Sequence, residues 1–255
     1  MSWMGLFLIL GSSFGLLSGC ASSHPPNRLE QYLGRPAAAS SPVPLPADRP
    51  VRASLIVIED RSGPDAAPVL PDEAHVRIAE QIRNEINGRY PLVIDKVIPS
   101  AQLTPGSGLP DLIAFGKQQG VQYLLITVLS SEEQQYPVSL FLGWTTHRQP
   151  GLRLDNWSLA EAALLDVAAG QVVLQAEGRA WATLDSPTAP GINQWYPVIY
   201  LRPQDPERRI WPPTYEGAPI TLRLISMSEA AKRLVLNVQQ AWIEKRQVEI
   251  AGMQP

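Results

Sequence analysis

Proline placement constrains this chain more than any other feature. Of its 25 prolines, seven lie between Cys20 and Pro50 and eight between Ser186 and Pro219. Proline has no backbone N–H and a fixed φ, so both stretches read as connections, the first a spacer and the second an irregular insertion. The remainder, Val51 to Asp185 plus a segment near the end, is long enough to bury a core of its own. The expected organisation is residues 1–19 as an export signal, 20–50 as a tether, and 51–250 as one domain interrupted at 186–222.

The single cysteine, Cys20, excludes an internal disulfide and a multi-cysteine metal site. It closes an apolar run from Leu6 to Leu17 that has signal-peptide length and is short for a membrane span. No Lys or Arg precedes that run, which points to a start upstream of Met1. The sequence Leu17-Ser18-Gly19-Cys20 resembles the bacterial lipobox. That resemblance implies cleavage before Cys20 and a covalent diacylglyceryl and N-acyl lipid on it. Each buried lipid methylene contributes about 0.8 kcal/mol, so two or three chains anchor a protein that one would hold only marginally. Ala21 and Ser22 lack the Asp associated with inner-membrane retention. The expected location is therefore the inner leaflet of the outer membrane, facing the periplasm, with the inner membrane as the alternative.

Along the domain, Ala53–Ile58 reads as a buried strand, and a helix follows Pro71, capped by Asp72 and stopped by Gly88. Leu92–Ile98 is a second strand, and Leu112, Ile113 and Phe115 mark a short helix ending near Gly120. Val121–Leu129 and Tyr136–Thr145 read as antiparallel neighbours. Trp157–Val167 and Gln171–Leu184 flank a hairpin turn at Ala168-Ala169-Gly170. Ser226-Met227-Ser228-Glu229 has capping-box spacing before a last amphipathic helix. The fold class is α/β (α+β): a mixed sheet of about five or six strands with three helices, in the order β-α-β-α-β-β-β-β-α. The Arg28–Leu33 segment of the tether could form a docked helical turn.

Chemistry is sparse. Lys+Arg 21 against Asp+Glu 24 leaves no basic field for nucleic acid. The three histidines fall in the tether (His24), on or near the buried face of the first helix (His75) and in a turn (His147), which offers no metal or catalytic set. Asp60, Asp95, Glu161 and Asp166 are the carboxylates to check for acid chemistry. Glu161 and Asp166 would lie on opposite strand faces, and Asp166 reads as a turn initiator. The insertion holds Trp195, Tyr196, Tyr200, Arg208, Arg209, Trp211 and Tyr215, with Arg202 among them. Aromatics and arginine favour a partner-binding surface; the alternative is that they pack the loop on its own domain.

The blocks Val97–Gly108, Gly120–Ile126 and Ala163–Gly170 followed by Leu174–Gly178 resemble those of the rhombotarget lipoprotein family over roughly Val51–Leu184 and the last helix. The family implies processing by a rhomboid-type protease at a tail with small residues, an apolar helix and basic residues, a pattern that Ile250–Pro255 does not carry. More distantly, the element order is similar to domains of the curli-secretion lipoprotein, the lipoprotein activators of penicillin-binding proteins and the TolB amino-terminal domain. These likenesses imply a non-enzymatic binding, accessory or assembly module with an envelope protein partner and no cofactor. The alternatives are an oligomerising structural lipoprotein and a hydrolase with an unrecognised acid pair.

Overall fold

The computed structural model describes residues 25–34, 44–45, 50–89, 91–99, 103–141, 148–188, 196–202 and 205–252. Its elements are α1 (Leu29–Leu33), β1 (Val51–Asp60), α2 (Asp72–Asn87), β2 (Leu92–Ile98), α3 (Gly108–Gln118), β3 (Tyr123–Phe141), β4 (Arg148–Asp166), β5 (Gln171–Pro187), β6 (Val198–Arg202), β7 (Asp205–Ile210) and α4 (Ala218–Gly252). One sheet runs β2-β1-β3-β4-β5-β6-β7. β1 pairs in parallel with both β2 and β3, and the later pairings are antiparallel. This confirms a mixed α+β sheet, with seven strands and four helices among the described residues in place of the five or six and three expected.

The period-two alternation of the strands sorts the core into two layers. Leu55, Val57, Leu125 and Leu129 face α2 and α4, together with Ile78, Ile82, Leu234 and Val238. Ile56, Ile58, Leu124, Ile126 and Val128 face the other way, against Leu29, Tyr32 and Leu33 of α1 and Leu112 and Phe115 of α3. Each fully buried side chain of this kind contributes about 1.5–3 kcal/mol. The doubly covered strands therefore read as continuous apolar runs, as central parallel strands do.

The expected strands at 121–129 and 136–145 are one strand, β3. The polar run Ser130–Gln135 between them continues the strand and holds the ladder opposite Leu154–Leu159. Consecutive glutamates there point to opposite faces. Glu132 lies 3.9 Å from Arg28 beside α1, and Glu133 takes a two-pronged bond from Arg223 of α4 at 2.6 and 3.0 Å.

The last helix begins at Ala218, eight residues before the apparent capping box, with Pro219 in its first turn, where a missing N–H costs nothing. Ser226 is an interior residue, fully buried, and its hydroxyl turns to the carbonyl oxygens of Asn156 and Ala180. Asp72 is the first helical residue of α2 and makes no cap, the cap position being Pro71. Gly88 has φ −74°, so the left-handed stop expected there is absent; Gly120 and Gly170 do take positive φ after α3 and in the β4–β5 turn. The Pro-rich insertion supplies β6, β7 and the first turn of α4, which adds two strands to the sheet.

The amino-terminal stretch read as a spacer is docked where it is described. Leu29, Tyr32 and Leu33 are 5, 1 and 1% exposed, and Leu45 packs in the α2/α4 layer, held by Glu249 and Arg246 of α4. An amphipathic five-residue helix has little stability alone; its apolar face is what fixes it here.

Candidate binding face

Strand register builds the site. Residues directly opposite in neighbouring strands share a face, so the pairs Tyr136–Arg153, Asp155–Thr183, Trp157–Trp181, Thr183–Tyr200, Trp181–Arg202 and Tyr200–Arg209 lie on one surface of β3 to β7. It is the surface that α1 and α3 cover lower down. Among the described residues no helix packs over this upper part, while α4 lines the opposite face.

Two adjacent cavities open on it. One, of about 300 Å³, is lined by Trp157, Trp181, Arg179, Arg202, Arg233 and Pro25 among others. The second, of about 260 Å³, takes in Arg153, Asp185, Tyr196, Tyr200, Arg209 and again Arg202. The Trp157 and Trp181 rings stack with centroids 6.0 Å apart and planes 19° from parallel. The Arg202 guanidinium lies 4.9 Å from the centre of the Tyr200 ring, a cation–π contact.

The polar groups beneath form a network. Arg153 grips Asp185 with two bonds of 2.6 and 2.8 Å, and this raises its pKa further. The Tyr136 hydroxyl donates to Asp155 at 2.7 Å. Burial pushes the Asp155 carboxyl up, an effect that Tyr136, Arg153 and Trp181 oppose. Burial also raises the Tyr196 phenol, whose hydroxyl donates to the Phe141 carbonyl at 2.9 Å. The Thr183 hydroxyl is buried without a partner among the described residues. A buried polar atom of this kind points to water or ligand.

The expected site residues separate accordingly. Tyr196, Tyr200 and Arg209 line the second cavity. Arg208 is exposed and lines neither cavity, while Trp211 and Tyr215 stand 53 and 51% exposed, outside both. Trp195, the lipobox Leu17, Ser18 and Gly19, Cys20, His24 and His147 lie outside the described residues. Trp157, Trp181, Arg153 and Arg179 were not anticipated.

The four carboxylates have structural duties. Asp60 accepts from Ser62 twice and from the Tyr32 hydroxyl at 2.9 Å, with Arg28 4.0 Å away. Burial alone would raise its pKa, but these donors bring it below the ordinary value. Glu161 accepts the backbone N–H groups of Arg28 and Leu29 at 2.7 and 3.2 Å; burial raises its pKa and those two bonds offset part of the rise. Asp95 is in an exposed pair with Arg52, and Asp166 accepts from Ala169 N in the turn, as expected. Arg179 adds a third hold on the amino-terminal segment, through the Pro25 carbonyl at 2.9 Å and the Asn27 side chain. Asp60, Glu161 and Arg179 are thus a latch for residues 25–34. His75 sits half-buried on α2, and no metal-binding group of side chains occurs among the described residues.

No family model matches the chain, so the family read from its sequence blocks has no such support, and no curated protein matches it either. Solved structures similar to it include the hypothetical protein CT253 from Chlamydia trachomatis, at 13% identity over 76% of this chain and 97% of that one, with TM-score 0.36. Protein XCC0632 from Xanthomonas campestris, of family DUF330, is 12% identical over 82% and 96%, with TM-score 0.32. Lipoprotein GNA1162 from Neisseria meningitidis is 10% identical over 55% and 85%, with TM-score 0.26. No helix among the described residues is long and apolar enough to cross a membrane.

Proposed function

We propose that this chain is a lipid-anchored lipoprotein of the bacterial envelope, attached through Cys20 to the outer membrane and facing the periplasm, that acts as a non-enzymatic binding module. The observation that carries the binding role is the convergence of Tyr196, Tyr200, Arg202 and Arg209 from the insertion with Trp157 and Trp181 from the β4–β5 hairpin around two adjacent cavities that share Arg202. Aromatic rings supply large, rigid contact area, and guanidinium groups supply directed donors. The carboxylates that could have served an acid mechanism are engaged in holding the chain together. The Leu17–Cys20 motif supports the anchor.

The test is a photocrosslinking residue placed at Tyr200, with a second at Val76, which is 60% exposed on α2 as a control. Crosslinks to envelope components at Tyr200 and not at Val76 are expected. Equal labelling at both positions, or none at Tyr200, overturns the binding role. Intact mass of the membrane-purified protein checks the anchor: the expected mature chain begins at Cys20 with added acyl mass, which Cys20→Ala removes.

A further inference from the structure

We infer that the paired cavities hold an anionic amphiphile, a phosphate-bearing lipid headgroup with the adjoining apolar part, drawn from the membrane in which Cys20 is anchored. The inference rests on the lipid-anchored reading of Cys20 and adds to it a ligand class and an orientation.

Charge is the first argument. Among the described residues lining the two cavities are five arginines (Arg153, Arg179, Arg202, Arg209 and Arg233) and one carboxylate, Asp185, in a chain of net charge −3. Asp185 neutralises Arg153, and Glu177 and Glu229 neutralise Arg179 and Arg233. Among the described residues the excess positive charge therefore centres on Arg202, which lines both cavities, and Arg209 beside it. Guanidinium groups offer paired donors that match phosphate oxygens. Against Arg202 the first cavity sets the stacked indoles of Trp157 and Trp181, an apolar wall. One end of the site suits an anion and the other suits hydrocarbon. Tryptophan and tyrosine are also the residues that sit best where headgroups meet chains.

Chain length is the second argument. Pro25 lines the first cavity, and its carbonyl is fixed by Arg179. Cys20 precedes Pro25 by five residues, which span at most about 18 Å when fully extended. The latch at residues 25–34 thus shortens what would otherwise be a thirty-residue spacer. It places the cavity mouth within that distance of the anchored cysteine, on the bilayer side of the body.

The experiment uses the mature lipoprotein purified from membranes in a non-ionic detergent. It is titrated with short-chain phosphatidylglycerol, short-chain phosphatidylcholine and inorganic phosphate, reading tryptophan fluorescence and native mass. Saturable binding of one phosphatidylglycerol is expected, about tenfold or more tighter than either comparison, and Arg202→Gln should weaken it by about tenfold. Arg202→Gln should fold, since its side chain gives up one partly exposed cation–π contact with the Tyr200 ring; an unchanged melting temperature checks this. Equal affinity for phosphatidylcholine would make the site apolar only, and equal affinity for phosphate would make the ligand a free anion; either overturns the proposal. No lipid binding by a chain whose mass shows acylated Cys20 overturns it too, leaves the anchor intact and turns the cavities over to an envelope protein. Specific phosphatidylglycerol binding by a chain with unmodified Cys20 would overturn the anchored reading and the orientation with it.

Discussion

The two halves of the sheet obey different rules. Around β1, β2 and the first part of β3 both faces are covered, and alternate side chains such as Leu125 and Ile126 are equally buried in opposite layers. From Ser130 onward in β3, in the parts of β4 and β5 opposite it and in β6, one face rests on α4 while the other carries Tyr136, Arg153, Asp155, Trp157 and Trp181 with no helix over it among the described residues. The first half is organised for stability. The second extends a stable sheet into a surface of polar and aromatic side chains around two cavities. Substitutions in the first half should cost stability, and those in the second should cost binding.

The largest effect is expected where α4 joins the halves. A Cβ at Gly178 of β5 would fall on the backbone of α4, against Ala230 O and Leu234 N, and neither backbone can give way. Gly178→Val should destabilise by at least about 3 kcal/mol, or abolish folding, in thermal denaturation. A mild effect would mean that α4 packs less closely than described. Next comes Ile126→Ala in the doubly covered half, where the side chain is fully buried. A loss of about 2–5 kcal/mol is expected in denaturant unfolding, with lipid binding by the remaining folded protein unchanged. A selective loss of binding there would erase the distinction between the halves.

The latch lies on the border, and its loss should be felt locally. Glu161→Ala leaves the buried Leu29 N–H and the part-buried Arg28 N–H without acceptor, which should cost about 1–3 kcal/mol, whereas Glu161→Gln keeps an acceptor and should cost less. Limited proteolysis should cut near residues 25–34 in the alanine variant first. Equal protection of the two would show that Glu161 does not hold the segment.

Acid should loosen the latch through Asp60. Its carboxyl titrates below the ordinary range when folded, so its contribution is complete above the unfolded value, about 4, and is lost as pH falls through the folded value. Glu161 works in the opposite sense. With its folded value raised, its ionisation lowers stability as pH climbs from the ordinary glutamate value through the raised one. Tyr32→Phe removes one donor to Asp60, so the melting temperature should fall less steeply below pH 4 than in the unaltered protein. An identical acid slope would assign the shift to Ser62 and Arg28 alone.

The covered half was legible in the sequence because its strands carry dense apolar runs, as Tyr123–Leu129 does with Thr127 its one polar residue. The binding face was not, and one residue explains why. The β4–β5 ladder starts with Asp166 opposite Gln171 and slips by one between Leu164 and Leu165. Counted from the turn without that bulge, Trp157 would face Ala180; with it, Trp157 meets Trp181. A one-residue slip moves every side chain to the other face, and no turn signature in the sequence encodes it. The insertion hid β6 for a different reason: Val198–Arg202 is only five residues long, and Pro197 and Pro203 bracket it, so it reads as part of a Pro-rich connection. The apparent capping box at Ser226 misled because a serine in a helix interior and one at its start look alike until the buried carbonyls it meets are known.

The smallest expected change in stability carries the sharpest test of the comparison. Arg202 stands on the open face, and its interaction with the Tyr200 ring is a partly exposed cation–π contact. Arg202→Gln should therefore shift stability by no more than about 0.5 kcal/mol, measured by denaturant unfolding. Its side chain is also where the two cavities meet, so the same substitution should remove the positive charge most available to a ligand. A variant with native stability and lost binding would show that the upper sheet is held by its neighbours and used by what it binds. A variant that unfolds with the loss of this one contact would place Arg202 among the residues that build the sheet, and the division between a covered, stabilising half and an open, binding half would have to be redrawn below β6.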